Sequence, residues 1–320
     1  MNKKIQILGK SVKFQEVLRT IELVSVTDVP VLLSGEIGTG KELLAQKIHE
    51  SSHRNQREFI SVNCAALPQE FAESMLFGQK IEASDDTITE NNLGYIAQAQ
   101  SGTLFLDEIS ELPLAVQAKV QRFLENGEIQ AVGDSIPHKY DVRLIAATHK
   151  NLNDEVNAGN FRADLFYRLN IIPVELPALK EREGDINILM EYFFREFVRE
   201  QHQAAPSFTK AALKQITQYG WPGNVRELHN FCERMFILFS GKEVDVTNLP
   251  HELRSFASAK IDSSSPFSLP VTGIKLEMVE VDLIQQALQN TNGNKSRAAR
   301  LLGLTRDTFL YRLKKYSIDI

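Results

Sequence analysis

Gly35, Gly38, Thr39, Gly40 and Lys41 fall within the run Gly-Glu-Ile-Gly-Thr-Gly-Lys-Glu at 35–42. Glycines at this spacing let backbone N–H groups curl around phosphate oxygens, while a lysine and the positive end of the following helix offset the phosphate charge. The chemistry this implies is binding of a nucleoside triphosphate, ATP. Position 42 is Glu, where a Ser or Thr would normally place a hydroxyl on Mg²⁺. A second run, Gly102-Thr-Leu-Phe-Leu-Asp-Glu108, is apolar until it ends in two adjacent carboxylates. Such a run reads as a buried parallel strand, with Asp107 placed to hold Mg²⁺ and Glu108 placed to polarise an attacking water. Alone, the first run is a glycine-rich turn and the second a solvated strand end. Together in one α/β pattern they specify the two halves of an ATPase site.

A third group lies at the carboxyl end. Between Asn294 and Ile320 there are seven basic residues, Lys295, Arg297, Arg300, Arg306, Arg312, Lys314 and Lys315, against two acidic ones, Asp307 and Asp319. The whole chain has a net charge of −5, so its average conceals a cationic end. Leu276 to Asn290, Lys295 to Leu302 and Thr305 to Tyr316 read as three helices, with Gly303 marking a tight turn, Thr305 as an N-cap, and Phe309, Leu310 and Leu313 as the buried stripe. This arrangement predicts a helix-turn-helix whose last helix enters the major groove of double-stranded DNA. Arg306, Asp307, Thr308 and Tyr311 or Arg312 would face bases or phosphates, with Lys295 and Lys315 beside them.

Elements must position these groups. Apolar strand candidates recur at Val29 to Leu33, Phe59 to Asn63, Thr103 to Leu106, Val142 to Ala146 and Ile171 to Val174. Helical patterns between them include Lys41 to Ser51, Pro113 to Glu125 and Phe161 to Leu169. This alternation predicts a parallel sheet with helices on both faces. From Arg182 to Leu249 the strands stop, and Ile186 to Gln201, Thr209 to Gln218 and Asn224 to Ser240 suggest a small all-α subdomain. Ser255 to Gly273 has the Ser, Pro and Ala content of a linker. The expected domains are an α/β nucleotide-binding part at 1–175, a helical lid at 176–250, a linker at 251–274 and the DNA-binding part at 275–320.

With 320 residues, 43% apolar and 24% charged, the chain has the composition of a soluble multidomain protein. Cys64 and Cys232 have no partners at metal-ligand spacing and read as small core residues in a reducing compartment. No apolar stretch approaches about 18 residues and the start lacks a signal-peptide pattern, so a cytoplasmic protein without a membrane partner is expected.

These motifs together resemble the bacterial enhancer-binding proteins, the AAA+ activators of sigma-54 RNA polymerase. The likeness covers nearly the whole chain, including Phe-Ile-Ser-Val-Asn-Cys-Ala-Ala-Leu, Phe-Arg-Ala-Asp-Leu-Phe-Tyr-Arg-Leu and Trp-Pro-Gly-Asn-Val-Arg-Glu-Leu. Its end resembles a Fis-type helix-turn-helix in Gly-Asn-Lys-Ser-Arg-Ala-Ala-Arg-Leu-Leu-Gly-Leu. The resemblance implies that Glu42 is usual for this family and that Asn63 is a switch residue pairing with Glu108. It implies further that Thr148 senses the γ-phosphate, and that Arg226 is a second sensor in the lid. Arg162 and Arg168 match fingers that reach the neighbouring subunit's nucleotide, so the resemblance implies an active ring, usually a hexamer in this family, and a homo-oligomer between dimer and hexamer. The early start resembles the phage-shock-protein activators, which lack a regulatory domain and are restrained by a separate protein. The alternative is that the sequence is a fragment.

One departure concerns output. Where the family carries Gly-Ala-Phe-Thr-Gly-Ala in a loop that contacts the sigma factor, residues 79–94 read Gln-Lys-Ile-Glu-Ala-Ser-Asp-Asp-Thr-Ile-Thr-Glu-Asn-Asn-Leu-Gly. An apolar knob has become an acidic stretch with Glu82, Asp85, Asp86 and Glu90, which would repel an acidic partner. The reading that follows is a DNA-binding regulator with a working ATPase and lost or altered contact with sigma-54 RNA polymerase. Two alternatives stay open: a sigma-54 activator using a divergent loop, and an ATP-binding repressor with little hydrolysis.

Overall fold

The computed structural model describes residues 7–80, 91–254, 273–291, 293–316 and 318. Residues 255–272 of the expected linker and the acidic stretch at 81–90 lie outside them, whereas 251–254 are helical with Leu253 in the core of the lid. Residues 1–254 and 255–320 form separate compact units.

In the first unit a five-stranded sheet is built from β1 (Val31–Ser34), β2 (Phe59–Asn63), β3 (Thr103–Asp107), β4 (Arg143–Thr148) and β5 (Ile172–Glu175). The order across the sheet is β2-β3-β4-β1-β5, with every pairing parallel. Continuous apolar runs make this possible, because a parallel strand covered on both faces has no side for polar residues. All of β4 is buried, including Arg143. Alternate residues go to opposite faces. Leu104, Leu106, Leu144 and Ala146 join one core with helices α3 (Leu114–Asn126) and α4 (Ala163–Leu169). Phe105, Ile145 and Leu33 join another with α1 (Val12–Ser25) and α2 (Lys41–Glu50). Helix α4 begins at Ala163 rather than Phe161, since Arg162 is still extended.

Helix α1 turns Phe14, Val17, Ile21 and Val24 inward at helical spacing. The Arg143 guanidinium caps it, donating from Nη1 to the Ser25 carbonyl at 2.9 Å and from Nη2 to that of Val24 at 2.8 Å. A cation there satisfies carbonyls that the helix leaves open and complements its dipole.

The lid consists of α5 (Asp185–Gln201), α6 (Lys210–Gln218) and α7 (Asn224–Phe239) around Trp221, Phe231, Phe236 and Leu228. It is not free of strands, contrary to expectation. Ser207–Phe208 pairs in parallel with Glu243–Val244, a two-residue ladder too short for any alternation to reveal. Cys232 is buried here, Cys64 is buried beside the sheet, and burial pushes both thiols well above their usual range.

The second unit packs α8 (Leu276–Asn290), α9 (Lys295–Leu301) and α10 (Arg306–Lys315) around Ile284, Leu288, Ala298, Ala299, Phe309 and Leu313. Gly303, at φ +64°, makes the left-handed turn into α10. Thr305 caps α10 by accepting from the Thr308 N–H. Leu310 does not belong to the buried stripe, being 36% exposed. It sits one residue beyond Phe309, about 100° round the helix from the core direction.

Candidate nucleotide cleft and helix-turn-helix surface

The carboxyl ends of β1 to β4 converge on one edge, the usual place for a ligand in an open α/β sheet. From β1 the chain passes through the glycine-rich loop directly into α2, whose N-cap is Gly40 in the left-handed conformation at φ +100°. Gly38, at φ +80°, is more constrained still. A Cβ there would lie 2.2 Å from the Gly223 carbonyl oxygen of the lid, so only glycine fits. The lid closes against this point: the Val225 N–H donates to the Gly38 carbonyl at 2.9 Å.

A cleft of about 540 Å³ opens at this edge, walled by Gly38, Gly40, Lys41, Glu42, Asn63, Asp107, Glu108, His149 and Arg226. Apolar residues Ile37, Leu43, Phe193 and Val225 complete it. Lys41 is buried, and its Nζ donates to the Gly35 carbonyl at 2.9 Å and to that of Glu36 at 3.3 Å. Burial holds its ammonium below the usual lysine pKa, against the pull of Glu108 and Asp107. Asp107 is held above the usual carboxylate range, first by burial and then by the adjacent Glu108. A buried ammonium donating only to carbonyls and a desolvated carboxylate are matched to a phosphate and a divalent cation.

Sequence position alone does not fix the partners of the remaining residues. Thr39 is buried, with its hydroxyl on the Glu36 carbonyl at 2.8 Å. The expected Asn63–Glu108 pair is replaced by others. The Asn63 amide oxygen accepts from the Ala65 N–H at 3.0 Å, and the Glu108 carboxylate lies 2.6 Å from His149 Nδ1. Glu108 has a left-handed backbone at φ +54°, which costs a non-glycine residue about 1 kcal/mol. Thr148 is buried beneath the cleft, with its hydroxyl 3.2 Å from that of Ser110 and accepting from the Lys150 N–H at 3.0 Å. His149 was not singled out by its sequence. A histidine after a strand carries no local pattern, and only the β3–β4 adjacency brings it opposite Glu108.

Arg162 and Arg168 do not line this cleft. Arg162 pairs with Asp164 at 2.7 Å, and Arg168 Nη2 donates to the Leu124 carbonyl at 3.2 Å, both on the exposed surface.

On the second unit, Lys295, Arg306, Asp307, Thr308, Tyr311 and Lys315 are exposed. Arg312 is not a free surface cation. Its Nη1 is engaged by Glu280 of α8, which also accepts from the Tyr316 hydroxyl. Three residues on from buried Phe309, Arg312 flanks the buried stripe of α10, which brings it to α8.

The fold and the cleft define an AAA+ P-loop domain with a helical lid, accompanied by a helix-turn-helix unit. Family profiles agree along the chain: the Sigma-54 interaction domain matches residues 7–175, the AAA+ ATPase lid domain residues 180–266, and the bacterial regulatory protein, Fis family, residues 275–316. Among curated relatives, the transcriptional regulatory protein ZraR of Escherichia coli (strain K12) is 40% identical over 310 residues, covering 96% of this chain and 68% of that protein. The nitrogen fixation protein AnfA of Azotobacter vinelandii is 40% identical over 317 residues, covering 99% of this chain and 58% of that protein. The crystal structure of NtrX from Brucella abortus in complex with ATP is similar at a TM-score of 0.71 and 31% identity, covering 97% of this chain and 69% of that one. The chain belongs to the sigma-54-dependent transcriptional activators, built from an AAA+ ATPase domain and a Fis-type helix-turn-helix.

No helix among the described residues is long and apolar enough to cross a membrane.

Proposed function

We propose that this chain binds ATP with Mg²⁺ in the cleft beside Lys41, hydrolyses it in a ring of its own copies, and binds double-stranded DNA through α10. The observation that carries the proposal is geometric: Gly38, Gly40, Lys41, Asp107 and Glu108 line one cleft, with the Lys41 ammonium held against the Gly35 and Glu36 carbonyls of the glycine loop. NtrX, a similar protein, has been solved with ATP and with ADP.

Bound MgATP supplies the phosphoanhydride to be cleaved. The chain's own residues do the rest. Gly38, Gly40 and the start of α2 present N–H groups to phosphate oxygens, Lys41 offsets their charge, and Asp107 would hold the metal. Glu108 orients the attacking water, Arg226 brings a lid cation to the same cleft, and Thr148 at the end of β4 is the sensor of the γ-phosphate. Arg162 or Arg168 completes a neighbour's site, a contribution of ~10³ to 10⁵ in rate where such fingers operate.

Output is assigned to an altered contact with RNA polymerase, because residues 79–94 lack the family's apolar knob and carry Glu82, Asp85, Asp86 and Glu90 instead. A second reading, in which this divergent stretch still engages sigma-54, is favoured by the match of residues 7–175 to the Sigma-54 interaction domain. Open-complex formation separates them. The purified protein, ATP and an enhancer template are assayed with sigma-54 polymerase and, in parallel, with the housekeeping polymerase. Activity confined to the housekeeping enzyme supports the first reading, and activity on sigma-54 polymerase overturns it.

A further inference from the structure

Three consecutive residues, the last of β4 and the two after it, are each tied to the turn beyond β3. Thr148 Oγ1 lies 3.2 Å from Ser110 Oγ, His149 Nδ1 lies 2.6 Å from Glu108 Oε2, and Lys150 Nζ lies 2.7 Å from Glu111 Oε1. The flanking links tie the side chains on either side of His149 to the same turn that carries Glu108. Glu108 needs such a hold. Its backbone is left-handed, and its own N–H is turned back to Asp107 Oδ1 at 3.1 Å. On its other flank stands β2, whose Asn63 accepts from the Ala65 N–H through its amide oxygen. Both His149 and Glu108 line the cleft, with side chains 33% and 15% exposed, so the contact is a surface of the site rather than part of the core.

We propose that His149 is the positioning residue for Glu108, fixing the carboxylate rotamer from which it orients water. A carboxylate on a single rotatable stem samples several staggered wells, and a strong hydrogen bond to one oxygen selects one while leaving the other oxygen free. Asn63 does not perform that task in this conformation. The inference rests on the ATPase reading above, and deepens it by naming what holds the water-orienting group.

The test is steady-state ATPase kinetics together with nucleotide binding. His149→Ala should lower kcat between about tenfold and a hundredfold, the cost of a misplaced reacting group, while the ATP dissociation constant stays within about twofold. His149→Asn, which keeps an N–H donor at a similar reach, should recover most of kcat. In a Glu108→Gln background His149→Ala should change nothing further, because no carboxylate remains to be held. Independently of turnover, the His149 ring-nitrogen NMR signals of the nucleotide-free protein should shift on Glu108→Gln.

Unchanged or raised kcat in His149→Ala would overturn the proposal. So would parallel loss of binding and turnover, failure of His149→Asn to recover kcat in a protein that still binds ATP, or ring signals indifferent to Glu108→Gln. A wild-type protein without any turnover sinks the ATPase reading itself, whereas turnover that ignores His149 sinks only this inference.

Discussion

Asn224 of the lid and Glu36 of the glycine-rich loop are joined side chain to side chain, Nδ2 donating to Oε2 at 3.0 Å. The same amide donates to the Ile37 carbonyl at 3.0 Å, and its oxygen accepts from the Leu179 N–H at 2.7 Å. Asn224 is fully buried at φ +52°, a backbone conformation that asparagine tolerates better than most residues. One side chain therefore clamps the loop, the start of α7 and the segment entering the lid.

Asn224→Ala should cost about 3 kcal/mol in urea unfolding of residues 1–254, since it strands a buried N–H and a carbonyl in one step. A pH effect accompanies it. Glu36 is held below the usual carboxylate range chiefly by the Asn224 hydrogen bond, then by Lys180. Its contribution is fully present above the unfolded pKa of about 4.3 and is lost as pH falls through the lower folded value. The stability gap between wild type and Asn224→Ala should therefore narrow in acid. A gap that stays constant down to pH 3 would show that Glu36 plays no part.

Asp107→Asn should raise the melting temperature of the nucleotide-free protein at neutral pH while removing Mg²⁺-dependent nucleotide binding. The sign follows from the raised folded pKa of Asp107. Stability is fully present below the unfolded value of about 3.9 and is lost as pH rises toward the folded one. At pH 7 the whole penalty is in force, and an amide of the same shape escapes it. Differential scanning fluorimetry with and without MgATP reads both effects. A variant no more stable than wild type would place the carboxylate in a better-solvated setting.

Arg168→Ala should suppress turnover by at least about a thousandfold with little change in ATP affinity, if its guanidinium works on a neighbour's nucleotide. Mixing gives the sharper check. Arg168→Ala and Glu108→Gln subunits, each inactive alone, should regain activity together, because some interfaces then combine an intact glutamate with an intact arginine. No recovery on mixing would confine Arg168 to its contact with the Leu124 carbonyl.

Arg306 and Arg312 should separate cleanly. Arg306→Ala should weaken DNA binding and reduce the slope of log affinity against log salt by about 1, with the thermal stability of the second unit unchanged. Arg312→Ala should lower that stability instead, because it leaves Glu280 without its cation. Fluorescence anisotropy across a salt series, beside thermal melts of each variant, would reveal any exchange of these roles.

The sheet could be read from the chain because burial on both faces leaves β3 and β4 almost purely apolar, a pattern carried by each strand alone. Phosphate-loop chemistry was equally local, since Gly38 and Lys41 act through spacing along one turn. What escaped depends on pairs distant in sequence. Nothing around His149 indicates that Glu108, 41 residues upstream, will take its Nδ1. Similarly, the charge of Arg312 suggested a phosphate contact until the packing of α8 brought Glu280 to it, and the Ser207–Glu243 ladder is too brief to leave any periodicity. Leu310 failed for a different reason. Hydrophobicity marked it as core, whereas its angular position on α10 leaves it partly in water.

Asp185, at the foot of the lid, shows no exposure and binds Arg182 through one oxygen while gathering the Lys10 N–H, the Ser11 N–H and the Ser11 hydroxyl. Arg182 in turn donates to the Leu8 carbonyl and lies 3.7 Å from the Phe14 ring centroid. Residues 8–11 are thus tied to the start of the lid through Arg182 and Asp185. Loss of the Asp185 carboxylate would therefore release two segments at once, residues 8–11 and the turn that carries Arg182.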